Sequence, residues 1–595
     1  LAVVVIIATT GCRGLDQSAP SAPASGAVTN AAAVDPYLWL EDVEERWDRC
    51  TGSDEFSFVG PAMEDALIMT SAVTALGTRL FGRYGEGKGL DKSGINQVKK
   101  DADAVSAYAM SEALWYLTRR LPENHAVMVS LGEGLMPKAG ETPEMGSNPL
   151  LGFGRVYARP GVAKFLDRRV HRMINDPDYG WEEFWTEIRV AGLTVWGAAI
   201  DTLENTSRFA KGSPTGPLAV LHVFDQPLQV ALPYEGYMGC LTLPNHVVQA
   251  AEKRSTLLNY LTPRAMIMHA IQDAYPAIKP SNVHVWTLGG KTREARLSSL
   301  WEEWKAVGAH VVEDGWVLPN GMASFNESGT YAPMYRVGAF ADEAGEPHLF
   351  ILDGYAASAE AIQAASLDPM LGVTTSMTLF SSKFDVSWAR EVNILHLDPD
   401  SDDFARQLGK VLGREAPPKE VEEYREIIGH ARRAGMPCDA PTVRVDDFFP
   451  NKKWRGLALA GYMLPDPYSG NPGVEQVRQG VYRVTCRATC ERGVREVVFT
   501  LRLKETFEES RQVFSPLLDR FWRGQDYRTR PVKISDSGRI RNELQTWCSE
   551  ALEYFNDDGI RLRLDSVEDA VISPEKKRFI REVLAWYKEN HPTWF

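Results

Sequence analysis

Residues 281–316 constrain the fold more tightly than any other stretch of the chain. NVHVWTL reads as a buried strand and GGKTR as a tight turn. EARLSSLWEEWKAVG follows as an amphipathic helix and AHVVEDGW as the next strand. A strand, a helical crossover and a second strand in so short a span imply two parallel strands, because a crossover returns the chain to the same end of the sheet. HLFILDGYAASAEAIQAASL and VNILHLDPDSDDFARQLGKVLG repeat the strand-turn-helix theme. The expectation is an α/β fold: a mostly parallel sheet with flanking helices, plus a smaller α+β C-terminal domain.

Other segments are placed around that core. AMEDALIMTSAVTALGTRLF, AVSAYAMSEALWYLTRRL, GVAKFLDRRVHRMIND and WEEFWTEIRVAGLTVWGAAIDTL carry apolar residues at helical spacing. HAVMVSLGEGL and GPLAVLHVFDQPLQVAL read as strands. GVYRVTCRAT and REVVFTLRLKE read as antiparallel strands of the C-terminal part. The organisation that follows is a signal end at 1–12, a flexible tether at 13–34, an α/β core at 62–450 in one or two subdomains, and an α+β domain at 473–595.

Composition excludes several classes of function. Lys and Arg number 65 against 79 Asp and Glu, a net charge of −14, and such a field repels phosphate backbones. Nucleic acid is therefore not an expected partner. Seven cysteines in 595 residues make no disulfide framework. Cys486 and Cys490 lie four apart without a second Cys or His pair nearby, so buried free thiols are expected over zinc. The eleven histidines form no H-E-x-x-H motif, and His222, His284 and His348 fall in strands, where core positions are expected.

The N-terminal residues LAVVVIIATTGCRG resemble the end of a bacterial lipoprotein signal, which implies lipidation of Cys12 and a membrane anchor. The apolar run is shorter than the roughly 20 residues that span a bilayer. Without that leader the body reads as cytoplasmic. DPYLWLEDVEE, Asp35 to Glu45, resembles the opening segment of secreted prolyl oligopeptidases. That family needs a G-x-S-x-G-like nucleophile turn. Ser324, Ser469 and Ser537 all lack glycines two residues away on both sides, which disfavours a serine peptidase.

Ligands in open α/β sheets collect at the carboxyl ends of strands. There Gly289, Gly290, Lys291, Thr292 and Arg293 combine close backbone approach, helix-start N–H groups and cationic side chains, the elements of an anion site. They are not a Walker A loop, whose first Gly would fall at Val285. KISDSGRIRNEL offers Arg539 and Arg541 as a second anion fork. Asp314 and Asp353, each in an Asp-Gly-aromatic turn, are candidates for acid–base work or for holding Mg²⁺. Asp353 and Tyr355 also precede FSSKFDVSWAR, with Lys383 and Arg390. That order resembles type I pyridoxal-phosphate enzymes and implies Lys383 as the Schiff-base lysine, although the Asp–Tyr spacing is one residue short. The functional expectation is an α/β enzyme acting on a phosphate-bearing or other anionic small molecule. The alternatives are a pyridoxal-phosphate transferase or lyase and a non-catalytic, ligand-binding surface lipoprotein.

Overall fold

The computed structural model describes residues 28–33, 40–49 and 56–503, apart from 118–120, 133–150, 152–153, 155, 177, 230–236, 261, 288–293, 314, 321–323, 326–330, 380–396, 413, 434–441 and 467–469. Two sheets dominate it. The first begins with β1 (Val28–Ala33), β2 (Leu40–Arg49), β3 (His125–Leu131), β4 (Val156–Ala158), β5 (Thr194–Glu204) and β6 (Leu218–Phe224). The chain then builds a second sheet from β7 (Tyr237–Pro244), β8 (Val283–Trp286) and β9 (His310–Val311). A two-stranded ribbon follows, β10 (Trp316–Val317) with β11 (Ser324–Phe325). The second sheet is completed by β12 (Gly338–Ala341), β13 (Pro347–Ala357), β14 (Val373–Leu379) and β15 (Thr442–Val443). Finally the chain returns to the first sheet with β16 (Gly456–Tyr462), β17 (Val474–Arg478), β18 (Val481–Cys490) and β19 (Gly493–Leu503).

The first sheet has the order β1-β2-β19-β18-β16-β6-β5-β3-β4, with β17 also on β18. The second has the order β15-β14-β7-β13-β8-β9, with β12 also on β13. The expected mostly parallel sheet is overturned. Among the described residues only β3–β5, β8–β9 and β8–β13 pair in parallel, and every other pairing is antiparallel. The crossover read at 281–316 does exist, as β8, the helix Glu294–Ala306 and β9. It is one local unit and does not set the rule for its sheet. β16 bonds to β6 on one side and β18 on the other, so β17, β18 and β19 continue the first sheet.

One segment expected to be helical is half strand. WEEFWTEIRVAGLTVWGAAIDTL is not a single helix. The helix stops at Val190, and β5 starts at Thr194. Gly192 takes φ +66°, and the Leu193 and Gly192 N–H groups turn back to the Ile188 and Arg189 carbonyls, a Schellman-type stop. The Thr, Val, Trp and Ile side chains beyond it suit a strand better than a helix.

Burial sorts the chain into layers. Val127, Val129, Ala198, Ile200, Leu221 and Leu459 face outward from the first sheet and pack on the helices Pro61–Phe81 and Lys92–Leu117. Each fully buried Leu or Ile in that layer contributes roughly 1.5–3 kcal/mol. The approach is close, because a Cβ on Gly461 would stand 2.2 Å from the Ser71 carbonyl oxygen. Leu241, Val283, Val285, Leu349 and Ile351 cover the outer face of the second sheet beneath the helices Asn245–Glu252, Arg264–Ala274 and Glu294–Ala306. The two inner faces share one core. The helix Ser358–Ala365 contacts β5 from the first sheet and β7, β13 and β14 from the second. No helix among the described residues is long and apolar enough to cross a membrane.

Candidate functional site

The inner face of the first sheet carries a polar seam, and a β-bulge creates it. Along a regular strand Asp201 and Glu204 would point to opposite faces, being three residues apart. Between them the β5–β6 register slips, and Leu203 joins the outer core. Thr202 also turns outward, where its hydroxyl lies 2.7 Å from that of Ser106 on the helix Lys92–Leu117. Asp201 and Glu204 are thereby left together on the inner face.

Glu204 is buried, and its carboxyl is held far above the usual carboxylate range. Loss of solvent is the main cause; the charge and hydrogen bond of Asp201 and the charge of Glu360 add to it. The Tyr331 N–H, 3.4 Å from Glu204 Oε1, opposes the shift weakly. Burial and the neighbouring acid thus favour the protonated form of Glu204.

Strand register extends the site. Asp201 lies beside Val220, Val220 beside Ala460, and Ala460 beside Arg487, one row across four strands. The next row runs Ala199, His222, Ala458, Thr489. Small alanines leave room above these rows, and two tyrosines occupy it. The Tyr331 ring sits 5.3 Å from the His222 ring. Its hydroxyl is 2.9 Å from that of Tyr335, which in turn is 3.3 Å from Thr489 Oγ1. Burial raises the pKa of both phenols, so they remain neutral donors and acceptors.

His222 and Arg487 each bring one uncommitted atom to the seam. Ser366 Oγ donates to the Gln363 carbonyl at 2.6 Å, so it accepts from His222 Nδ1, also at 2.6 Å. The lone pair then resides on His222 Nε2, which is buried without a hydrogen-bond partner among the described residues. Burial lowers this imidazole to about 3 and keeps it neutral. Arg487 is 8% exposed; Nη2 donates to Glu496 Oε1 at 3.2 Å, while Nε is buried without a partner among the described residues. Burial opposes its charge, but Tyr462, Glu496, Tyr335 and Asp466 more than restore it.

Asp353, selected from the sequence, is on the opposite side of the second sheet. Alternation along β13 turns it outward with Leu349 and Ile351. Arg264 forks onto it, Nε to Oδ2 at 2.9 Å and Nη2 to Oδ1 at 3.1 Å, and Trp304 Nε1 adds a third bond at 2.6 Å. Both carboxylate oxygens are engaged, whereas a cofactor's ring nitrogen would need one of them. Asp314, Lys383, Gly289, Gly290, Lys291, Thr292, Arg293, Arg539, Arg541 and Cys12 lie outside the described residues. So does Arg390. The Asp35–Glu45 segment overlaps β2, whose backbone pairs along β19. Cys486 and Cys490 are buried free thiols, and Cys490 Sγ donates to the Phe56 carbonyl at 3.2 Å.

The sequence reading missed Asp201, Glu204, Tyr331, Tyr335 and Arg487. Reading Gly192 as a helix stop would have recovered β5, but no spacing rule announces the bulge. The chain matches no protein-family model, and no curated protein shows significant similarity to it.

Proposed function

We propose that this chain is an enzyme performing general acid–base chemistry on an anionic small molecule along the inner seam. One observation carries the proposal: the bulge turns Asp201 and Glu204 to one face, and the row across the strands from Asp201 ends at the buried guanidinium of Arg487. Paired titratable groups whose surroundings drive their proton affinities apart are the ordinary equipment of acid–base catalysis. Glu204 donates the proton, Asp201 stabilises the carboxyl before donation, and Arg487 holds the substrate's negative end. His222 Nε2 is a neutral acceptor beside them.

The Gly289–Arg293 turn belongs to the same proposal as a second anion contact. Cys12 is proposed as a lipid anchor for this enzyme, testable by incorporation of a labelled fatty acid into wild type but not Cys12→Ala.

The decisive experiment incubates the full chain with a panel of carboxylate- and phosphate-bearing metabolites and follows turnover by NMR. One class should be consumed, and Glu204→Gln should slow that reaction by roughly 10²–10⁴-fold. Full activity in Glu204→Gln, or no turnover of any member by wild type, rejects the reading.

A further inference from the structure

At the edge of the second sheet, far along β13 from its seam-side end, three histidines line up on neighbouring strands. His310 on β9 and His284 on β8 approach Nδ1 to Nδ1 at 3.0 Å, and His284 Nε2 is 2.9 Å from Nδ1 of His348 on β13. The row is covered by aromatic rings. Trp316 lies 4.6 Å from His284 and 5.1 Å from His310, and Phe340 stacks on His348 at 5.4 Å. Burial and the neighbouring imidazoles lower His284 to about 3, and burial lowers His310, so both stay neutral.

The row ends at an orphaned atom. His348 is 7% exposed, and its Nε2 is buried without a hydrogen-bond partner among the described residues, 3.6 Å from Asp342 Oδ2. Asp342 and Glu346 both belong to the hairpin joining β12 to β13. Together with His348 they bring one ligand atom each within 4.8 Å of one another. Asp342 Oδ1 accepts the Glu346 N–H at 2.6 Å, and Glu346 Oε1 meets the exposed Lys279 at 2.6 Å.

We propose that His348, Asp342 and Glu346 bind a divalent transition-metal ion of the zinc or manganese type. One imidazole and two carboxylates suit such ions, and a water completes the coordination. The histidine row gives the site its second layer. In the proposed site His348 Nδ1–H donates to His284 Nε2, and His284 Nδ1–H donates to His310 Nδ1. This direction leaves the His348 Nε2 lone pair facing the two carboxylates, an arrangement that a cation stabilises. Metal-bound histidines are ordinarily oriented in this way through their other nitrogen. The site lies on a different sheet from the acid pair and does not depend on it.

Equilibrium dialysis of the full chain against Zn²⁺ and, separately, Mn²⁺ tests the proposal. Wild type should hold one equivalent of at least one of the two ions. The half-buried hairpin variants Asp342→Asn and Glu346→Gln should each bind at least tenfold more weakly while melting at the wild-type temperature without metal. His284→Gln, a positioning change, should weaken binding roughly 10–100-fold. On metal addition the ¹⁵N resonance of His348 Nε2 should shift, a response that a merely structural histidine would not give. No stoichiometric uptake of either ion, or uptake unchanged in both hairpin variants, overturns the assignment.

Discussion

Asp353 and Glu204 are both buried carboxyl groups on long central strands, yet their surroundings are opposite. Asp353 meets a guanidinium fork and an indole N–H, and every oxygen is satisfied. Glu204 meets another carboxyl group, with a third acid near enough to matter. A buried charge with a fork partner ties elements together: here β13 to the helices Arg264–Ala274 and Glu294–Ala306. A buried acid beside an acid ties nothing together. Its position costs stability, and acid–base chemistry is the return. Burial alone therefore does not separate architecture from function; the sign of the neighbour does.

The largest test of that contrast is chemical. Glu204→Gln should remove activity by roughly 10²–10⁴-fold while leaving the melting temperature unchanged or higher, because the amide takes away a buried titratable acid but keeps an N–H that can donate to Asp201. A sharp drop in melting temperature would make Glu204 a structural residue like Asp353.

The converse variant, Asp353→Ala, removes the buried partner of Arg264, leaves it only the exposed Glu303, and should cost about 3–5 kcal/mol in urea unfolding. A cost under about 1 kcal/mol would dissolve the distinction from the other side.

Asp368 is an intermediate case, buried with hydrogen-bond donors but no cation of its own. Thr375 supplies an N–H at 2.6 Å and a hydroxyl at 2.7 Å, yet burial still lifts the carboxyl to about 8. The unfolded group titrates near 3.9. Folding therefore favours its protonated form: that stability is complete below about pH 4 and is lost as pH rises through 8. Thermal melts at pH 5, 7 and 9 should fall in that order, and Asp368→Asn should flatten the trend. A wild-type melting temperature that rises over this range contradicts the assignment.

The smallest effect belongs to Tyr335→Phe. It removes the contacts to Tyr331 and Thr489 and should cost roughly 0.5–1.5 kcal/mol. If Tyr335 also borders the substrate, KM changes more than the melting temperature does.

Local signals reported local structure well. The β8 crossover, the strand of His222 and the helix around Leu67 and Leu76 follow from apolar spacing and turn residues. Sheet direction did not follow, because one parallel unit says nothing about strands whose partners lie hundreds of residues away. Glu496 beside Arg49 and Leu457 beside Val223 are pairings that no local pattern encodes. The acid pair was harder still to read. On a helix Asp201 and Glu204 would share a face and on a plain strand they would not; a bulge restores their proximity through a slip visible only against β6. Asp353 was found because strand-end acids are conspicuous, but its partner Arg264 is 89 residues upstream.

The placement of the second sheet within the first has a consequence for synthesis. β6 is complete at Phe224, but β16, which bonds along it, begins at Gly456 after 231 intervening residues (225–455). At ordinary elongation rates of about 5–20 residues per second, that is about 10–50 s on the ribosome. Throughout that interval one edge of β6, in the middle of the future sheet, offers unsatisfied N–H and C=O groups and the apolar run LAVLHVF to any neighbouring nascent chain. Slower translation lengthens the exposure, and a holding chaperone shortens its effect. Soluble yield should therefore depend more on the rate of synthesis and on chaperone supply than on the stability of the finished protein.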